Sequence, residues 1–193
     1  NAISMLRQQM RPTDRVHGVI TRGGVKPNII PDHTSAEFYV RARNLSEVES
    51  LRARVMACFE GAAIATGCRL EHRSHHPPYT DMRTNDVLAN AYMENMAALG
   101  LSLPAKEQLR NAPSASTDMG NVSYVVPSIH PFFGIPAQFG NHHPGFTEAA
   151  ATPEAHENAL LAATGLAWTA IDAFTSAATL QAAQQEFRDR VKR

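Results

Sequence analysis

Cysteine is scarce in this chain: only Cys58 and Cys68 occur in 193 residues. Cys58 falls within a helical pattern and Cys68 opens a strand-like run, so a disulfide framework is not expected and a reducing, cytoplasmic setting fits best. Net charge is absent too. Eighteen Lys and Arg balance 18 Asp and Glu, which leaves no electrostatic footprint for nucleic acid or an anionic membrane. No apolar run approaches the roughly 20 residues that cross a bilayer, and no basic-then-apolar leader opens the chain. Internal repeats and low-complexity segments are also missing. These absences point to a soluble protein with no nucleic-acid and no membrane partner, acting on a small molecule or another protein. Its length suits one ordinary domain or two small ones.

The chain opens on Asn1 rather than Met and enters a helix-like stretch, Asn1–Met10, without a cap, so an N-terminally incomplete chain is expected. Two strand-like runs follow, Arg15–Thr21 and Ser35–Ala42, separated by a turn-rich segment with Gly23, Gly24, Pro27 and Pro31; they read as antiparallel neighbours. In the second run Ala36, Phe38 and Val40 alternate with Glu37, Tyr39 and Arg41, so one face meets a core and the other carries polar chemistry. Leu45–Ser46 followed by Glu49 resembles a capping box. Val48, Leu51, Val55, Phe59 and Ala62 then recur at helical spacing until Gly67. Cys68–Arg73 is expected to resume as a strand, completing most of a split βαβ sandwich that lacks its first strand.

Ser74–Tyr79 reads as a linker, and a second domain begins near it. Its expected elements are a helix over Asn85–Leu99, a short helix-like stretch over Ser116–Val126 and a buried strand over Ile129–Ile135. A long helix over Pro153–Phe174 and a polar terminal helix over Leu180–Val191 complete it.

Two close sets of histidines invite a metal: His72 with His75 and His76, and His142 with His143. Zinc favours imidazole nitrogen. The first set sits beside prolines at a strand end and reads as solvated loop. The second lies in a tight Gly140–Phe146 loop between a predicted strand and a long helix, where sites are commonly built. A catalytic zinc needs at least three protein ligands and an open position. No other His, Asp or Glu is placed by spacing to complete the set, so any metal requires ligands from elsewhere.

The segment Gly23-Gly24-Val25-Lys26-Pro27-Asn28-Ile29-Ile30-Pro31, followed by Arg41, resembles the lid-domain signature of the co-catalytic metallopeptidase family that includes aminoacylase-1 and the glutamate carboxypeptidases. Ser116-Thr117-Asp118-Met119-Gly120-Asn121-Val122-Ser123-Tyr124, with Val126-Pro127 and His130, is similar to the second-domain signature of its amidohydrolase branch. Within that branch the likeness is to aminoacylase-1-like dipeptidases and p-aminobenzoyl-glutamate hydrolase.

The resemblance implies roles residue by residue. Asn28 falls on the family's substrate-contacting Asn, with a turn-capping Asn as the plain alternative. Arg41, thirteen residues on, falls on the lid arginine that binds the substrate's terminal carboxylate, for which a planar guanidinium is suited; a surface salt bridge is the alternative. His142, four residues ahead of an aromatic, falls on the last metal ligand in preference to His143. Ser116 and Thr117 fall on a stretch bordering the substrate, although an N-cap role explains either one as well. The remaining metal ligands, the glutamate general base and the lid histidine belong to an N-terminal half that this sequence does not contain. In the intact family enzyme, metal-bound water deprotonated by that glutamate attacks an amide carbonyl while the lid holds the carboxylate.

The expected architecture is therefore α+β. Residues 1–77 form most of a ferredoxin-like (split βαβ) lid and dimerisation domain, and residues 78–193 form the C-terminal part of an α/β metallopeptidase catalytic domain. The intact protein would hydrolyse N-acyl amino acids or dipeptide-like amides with a divalent metal, zinc, manganese or cobalt. It would act as a homodimer through the lid, and the isolated chain is expected to be inactive. The competing reading is a non-catalytic module for association or small-molecule binding.

Overall fold

Alternating β-branched and aromatic residues on either side of a Gly- and Pro-rich turn build a hairpin, seen in a computed structural model that describes residues 1–101, 103–104 and 116–191. The chain divides into two units, Asn1–Asp81 and Met82–Arg193. In the first, strands β1 (Arg15–Arg22) and β2 (Ser35–Arg41) pair antiparallel from Arg15↔Arg41 to Ile20↔Ala36, with an irregularity before Arg22↔Ser35. Helix α1 (Ala2–Arg7) precedes them and α2 (Leu45–Thr66) follows.

One face of the hairpin closes on α2. Val16, Leu51 and Val55 are buried, and Ile3, Leu6, Met10, Phe38, Val40 and Phe59 pack around them. Phe38 and Phe59 meet edge to face with ring centres 5.2 Å apart, a favoured aromatic geometry. Phe38 and Val40 take the core face as the alternation requires; Ala36, at the loop end of the strand, is exposed.

Helix α2 is capped two residues earlier than the Leu45–Ser46 pattern indicates. Asn44 is in extended conformation and its side chain accepts from the Glu47 N–H at 3.0 Å. Glu47 reaches back to Arg43, accepting from its backbone N–H at 3.3 Å and from its guanidinium at 2.7 Å. That hydrogen bond holds the Glu47 carboxyl below its ordinary range. The cap thus falls on Asn44, with Glu47 bonded to the preceding Arg43, rather than on Ser46 and Glu49. Gly67, at φ 68°, ends the helix in the left-handed conformation that glycine adopts freely.

Cys68–Arg73 does not form the expected strand; the segment is irregular and exposed throughout. Leu70 is its one large apolar side chain among Arg69, Glu71, His72 and Arg73, so it has no apolar face to bury, and the described sheet holds only β1 and β2.

The second unit is helical: α3 (Asp86–Ala98), α4 (Met119–Ser123), α5 (Pro144–Ala150), α6 (Pro153–Thr175) and α7 (Ala177–Val191). Ile129–Ile135 is also not a strand. Its backbone finds no ladder, the nearest pairing being an isolated bridge between Thr84 and Ser128, and Phe132 and Phe133 are exposed. Pro131 within the segment and Pro136 directly after it lack N–H donors for a ladder.

The core of this unit is the crossing of α3 with α6, where Tyr92 and Met96 pack against Gly165. Burial pushes the Tyr92 phenol above its ordinary value. Helix α7 clamps the start of α3: the Glu186 carboxylate accepts from the backbone N–H groups of Asp86 and Val87 at 2.9 and 3.0 Å. Asn85 donates to the Ala183 carbonyl at 3.0 Å. Two orphan donors of a helix N-terminus are satisfied by a charge of the favourable sign.

A Cβ added at Gly165 would lie 2.4 Å from the Met96 sulfur and 3.2 Å from the Tyr92 ring. Met96 is 1% exposed and cannot swing aside. Overpacking of about 1–3 kcal/mol outweighs the gain of up to about 1 kcal/mol from replacing a mid-helix glycine. Gly165→Ala is therefore expected to lower stability in urea denaturation.

Candidate functional site

The turn-rich connector of the hairpin holds the first candidate residue. The Ile29 N–H donates to the Lys26 carbonyl at 3.1 Å, placing Pro27 and Asn28 at the two corners of a turn, positions that suit both residues. Gly24, at φ 129°, approaches Pro31, and Arg22 lies 3.8 Å from Asp32, so the neck of the loop is drawn together. A shallow concavity of about 340 Å³ opens there, lined by Arg22, Val25, Ile29, Ile30 and His33 among others. The tip stands in solvent: Val25 and Ile30 are 80% and 94% exposed, and Asn28 is exposed with them. The turn accounts for its backbone and leaves its carboxamide unengaged among the described residues.

Arg41 closes the opposite end of the ladder, across from Arg15. Strand alternation aims it away from the Val16–Phe38–Val40 core, on the same face as Tyr39 and Glu37. Its guanidinium carbon stands 5.8 Å from the centre of the Tyr39 ring, within the range of a cation–π contact. Six residue steps separate Ser35 from Arg41, about 20 Å of strand, and Asn28 lies beyond the Ser35 end. One copy of the chain therefore does not bring Asn28 and Arg41 together.

In the second unit Ser116 and Thr117 lead into α4. The Thr117 hydroxyl accepts from the Met119 N–H at 3.3 Å, and the Thr117 carbonyl accepts from Gly120 at 3.2 Å. Thr117 thus has a capping role at this short helix, while Ser116 is exposed.

The two histidines of the Gly140–Phe146 loop are separated by their surroundings. His143 is the N-cap of α5: its Nδ1 accepts from the Gly145 N–H at 3.0 Å, and its ring stacks on Phe139 with centres 4.0 Å apart. That imidazole is committed to structure. His142 sits at φ 74°, a left-handed conformation in which histidine is enriched but which still costs about 1–2 kcal/mol. Its exposed ring has no hydrogen-bond or ion-pair partner among the described residues. A strained backbone presenting an uncommitted imidazole is the combination common at ligand-holding positions, and neutral imidazole suits zinc, manganese or cobalt.

His142 fits as one ligand. Among the described residues no group of three or more His, Cys, Asp or Glu could hold a metal ion. Sequence reasoning did not find the capping duty of His143, although Asn141-His142-His143-Pro144 places His143 directly before a proline at a helix start, a detectable signal. Helix α5 itself went unread because its seven residues are too few to show a period.

Comparison with known proteins adds to this geometry. The model of the peptidase dimerisation domain matches residues 1–66. Xaa-Arg dipeptidase of Mus musculus is 44% identical over 186 residues, 96% of this chain and 43% of that protein. Its Homo sapiens counterpart is 43% identical over 188 residues. One subunit of the p-aminobenzoyl-glutamate hydrolase of Escherichia coli is 25% identical over 239 residues, covering 95% of this chain and 49% of that protein. The chain thus spans less than half the length of the curated relatives it matches. With its first unit matched by the dimerisation domain and nearly its whole length aligned to dipeptidases, the chain belongs to the peptidase family M20, a family of metallopeptidases.

Proposed function

We propose that this chain serves a metal-dependent amidohydrolase that cleaves dipeptide-like amides, with Arg41 holding the substrate's terminal carboxylate and His142 holding a divalent metal. The observation that carries the reading is the alignment of the chain to dipeptidases over 96% of its length; the first unit holds an exposed strand-end arginine, and the second, taken by itself, holds a strained, uncommitted histidine. A metal bound there supplies polarisation of the amide carbonyl and a more acidic water. The residues of this chain bind and orient: Arg41 fixes one end of the substrate, Thr117 and Ser116 border it, and Asn28 donates to it. Turnover needs ligands and a general base beyond the described residues, so the isolated chain is inactive in this reading. The names of the mouse and human relatives make a dipeptide ending in arginine the first substrate to assay.

In this reading the first unit is most of a ferredoxin-like lid, and the second is part of a larger α/β catalytic domain in a cytoplasmic enzyme. Helix α6 supports the latter. Its Ala155, Ala162, Gly165 and Thr169 are buried, yet Leu160, Ala167, Ile171 and Phe174, on the opposite side, are exposed. A helix apolar on both sides lies between two layers.

The hairpin geometry also bears on association. Asn28 and Arg41 are too far apart in one copy to touch the same dipeptide, so the pair serves one substrate only if a homodimer supplies Asn28 from one protomer and Arg41 from the other. The test uses the protein at the length of its relatives, mixing Asn28→Ala with Arg41→Ala protein, each impaired alone, and assaying at substrate well below KM. Random re-pairing makes half the dimers mixed with one of two sites restored, so recovery to about one quarter of wild type is expected. No recovery on mixing would refute the shared arrangement.

A further inference from the structure

The solvent face of β2 carries Glu37, Tyr39 and Arg41 in succession. Glu37 is exposed and forms no ion pair among the described residues; Tyr39 is 61% exposed. Across the ladder stand Val19, His17 and Arg15. Arg15 is turned back, donating to the carbonyl oxygens of Pro12 and Asp14, and so does not neutralise Glu37. The face therefore presents a cation at one end, an anion at the other and an aromatic ring between them.

Four residue steps of strand place the Glu37 and Arg41 backbones about 13 Å apart. Both side chains extend from that span on the same face, so one residue with an anionic and a cationic end meets the two of them. Resting on the reading that Arg41 takes the terminal carboxylate, we propose that Glu37 and Tyr39 select substrates whose C-terminal residue has a basic side chain. The carboxylate pairs with Arg41, the stem crosses the Tyr39 ring, and the cationic head pairs with Glu37. An acidic side chain in the same place would face Glu37, and like charges at that separation repel.

The experiment compares kcat/KM for dipeptides identical except for a C-terminal lysine or norleucine, in the protein at the length of its relatives. Wild type is expected to prefer lysine, and Glu37→Gln should lower the lysine-to-norleucine ratio about tenfold, the worth of one charge-assisted contact. Norleucine turnover reports folding in the same assay. Glu37→Lys should shift preference toward C-terminal glutamate. A ratio unchanged by Glu37→Gln, or a wild type indifferent to the basic side chain, overturns the assignment while leaving the peptidase reading standing. Hydrolysis of no dipeptide by wild type overturns both.

Discussion

His142→Ala is expected to strip the protein of about one divalent metal per chain and to lower kcat/KM by more than about 100-fold. Loss of even an outer partner of a metal ligand costs about 10–100-fold, and a direct ligand more. His142→Gly separates the metal role from the backbone role. The left-handed φ of 74° at this position costs a histidine about 1–2 kcal/mol that glycine avoids, while glycine loses about 0.4–1 kcal/mol through the greater freedom of the unfolded chain. The glycine variant should thus be as stable as wild type or slightly more so in denaturant, yet as poor in metal as the alanine variant. Elemental analysis alongside urea denaturation checks both halves. A His142→Gly protein that keeps its metal would move the ligand role elsewhere.

Arg41→Ala is expected to lower kcat/KM about 10–100-fold, the equivalent of one charge-assisted, bidentate contact. The loss should fall mainly on KM, because the carboxylate it binds is remote from the scissile amide and is held equally in the ground and transition states. Arg41→Lys should recover only part of the loss, since an ammonium cannot make the planar two-bond contact. A substrate with its terminal carboxylate amidated should be turned over equally by wild type and Arg41→Ala. A variant with unchanged KM for the free acid would return Arg41 to a surface role beside Tyr39.

The hairpin, α2, α3 and α6 were legible in the sequence because each carries a period that only one element satisfies. Phe38 and Val40 alternate with Glu37, Tyr39 and Arg41, while Leu51, Val55 and Phe59 recur every turn. The same alternation by itself sets Glu37, Tyr39 and Arg41 on one polar face. Element ends were harder to read. The cap of α2 moved from Ser46 to Asn44 because side-chain acceptors compete locally, and the winner depends on the conformation of the entering chain. Cys68–Arg73 and Ile129–Ile135 read as strands on residue type alone, but a strand exists only through a partner, and pairing is nonlocal information. The contrast between His142 and His143 was invisible as a matter of contacts. It depends on the Phe139 ring and the Gly145 N–H, which fold back onto one imidazole and not the other.

The most direct test of the account measures metal content by elemental analysis together with dipeptide hydrolysis, in the protein at the length of its relatives and in its His142→Ala variant. The account predicts bound divalent metal and hydrolysis in the wild type, with both diminished by the substitution. Wild-type protein with neither metal nor hydrolysis would contradict it and favour a role in association or small-molecule binding alone.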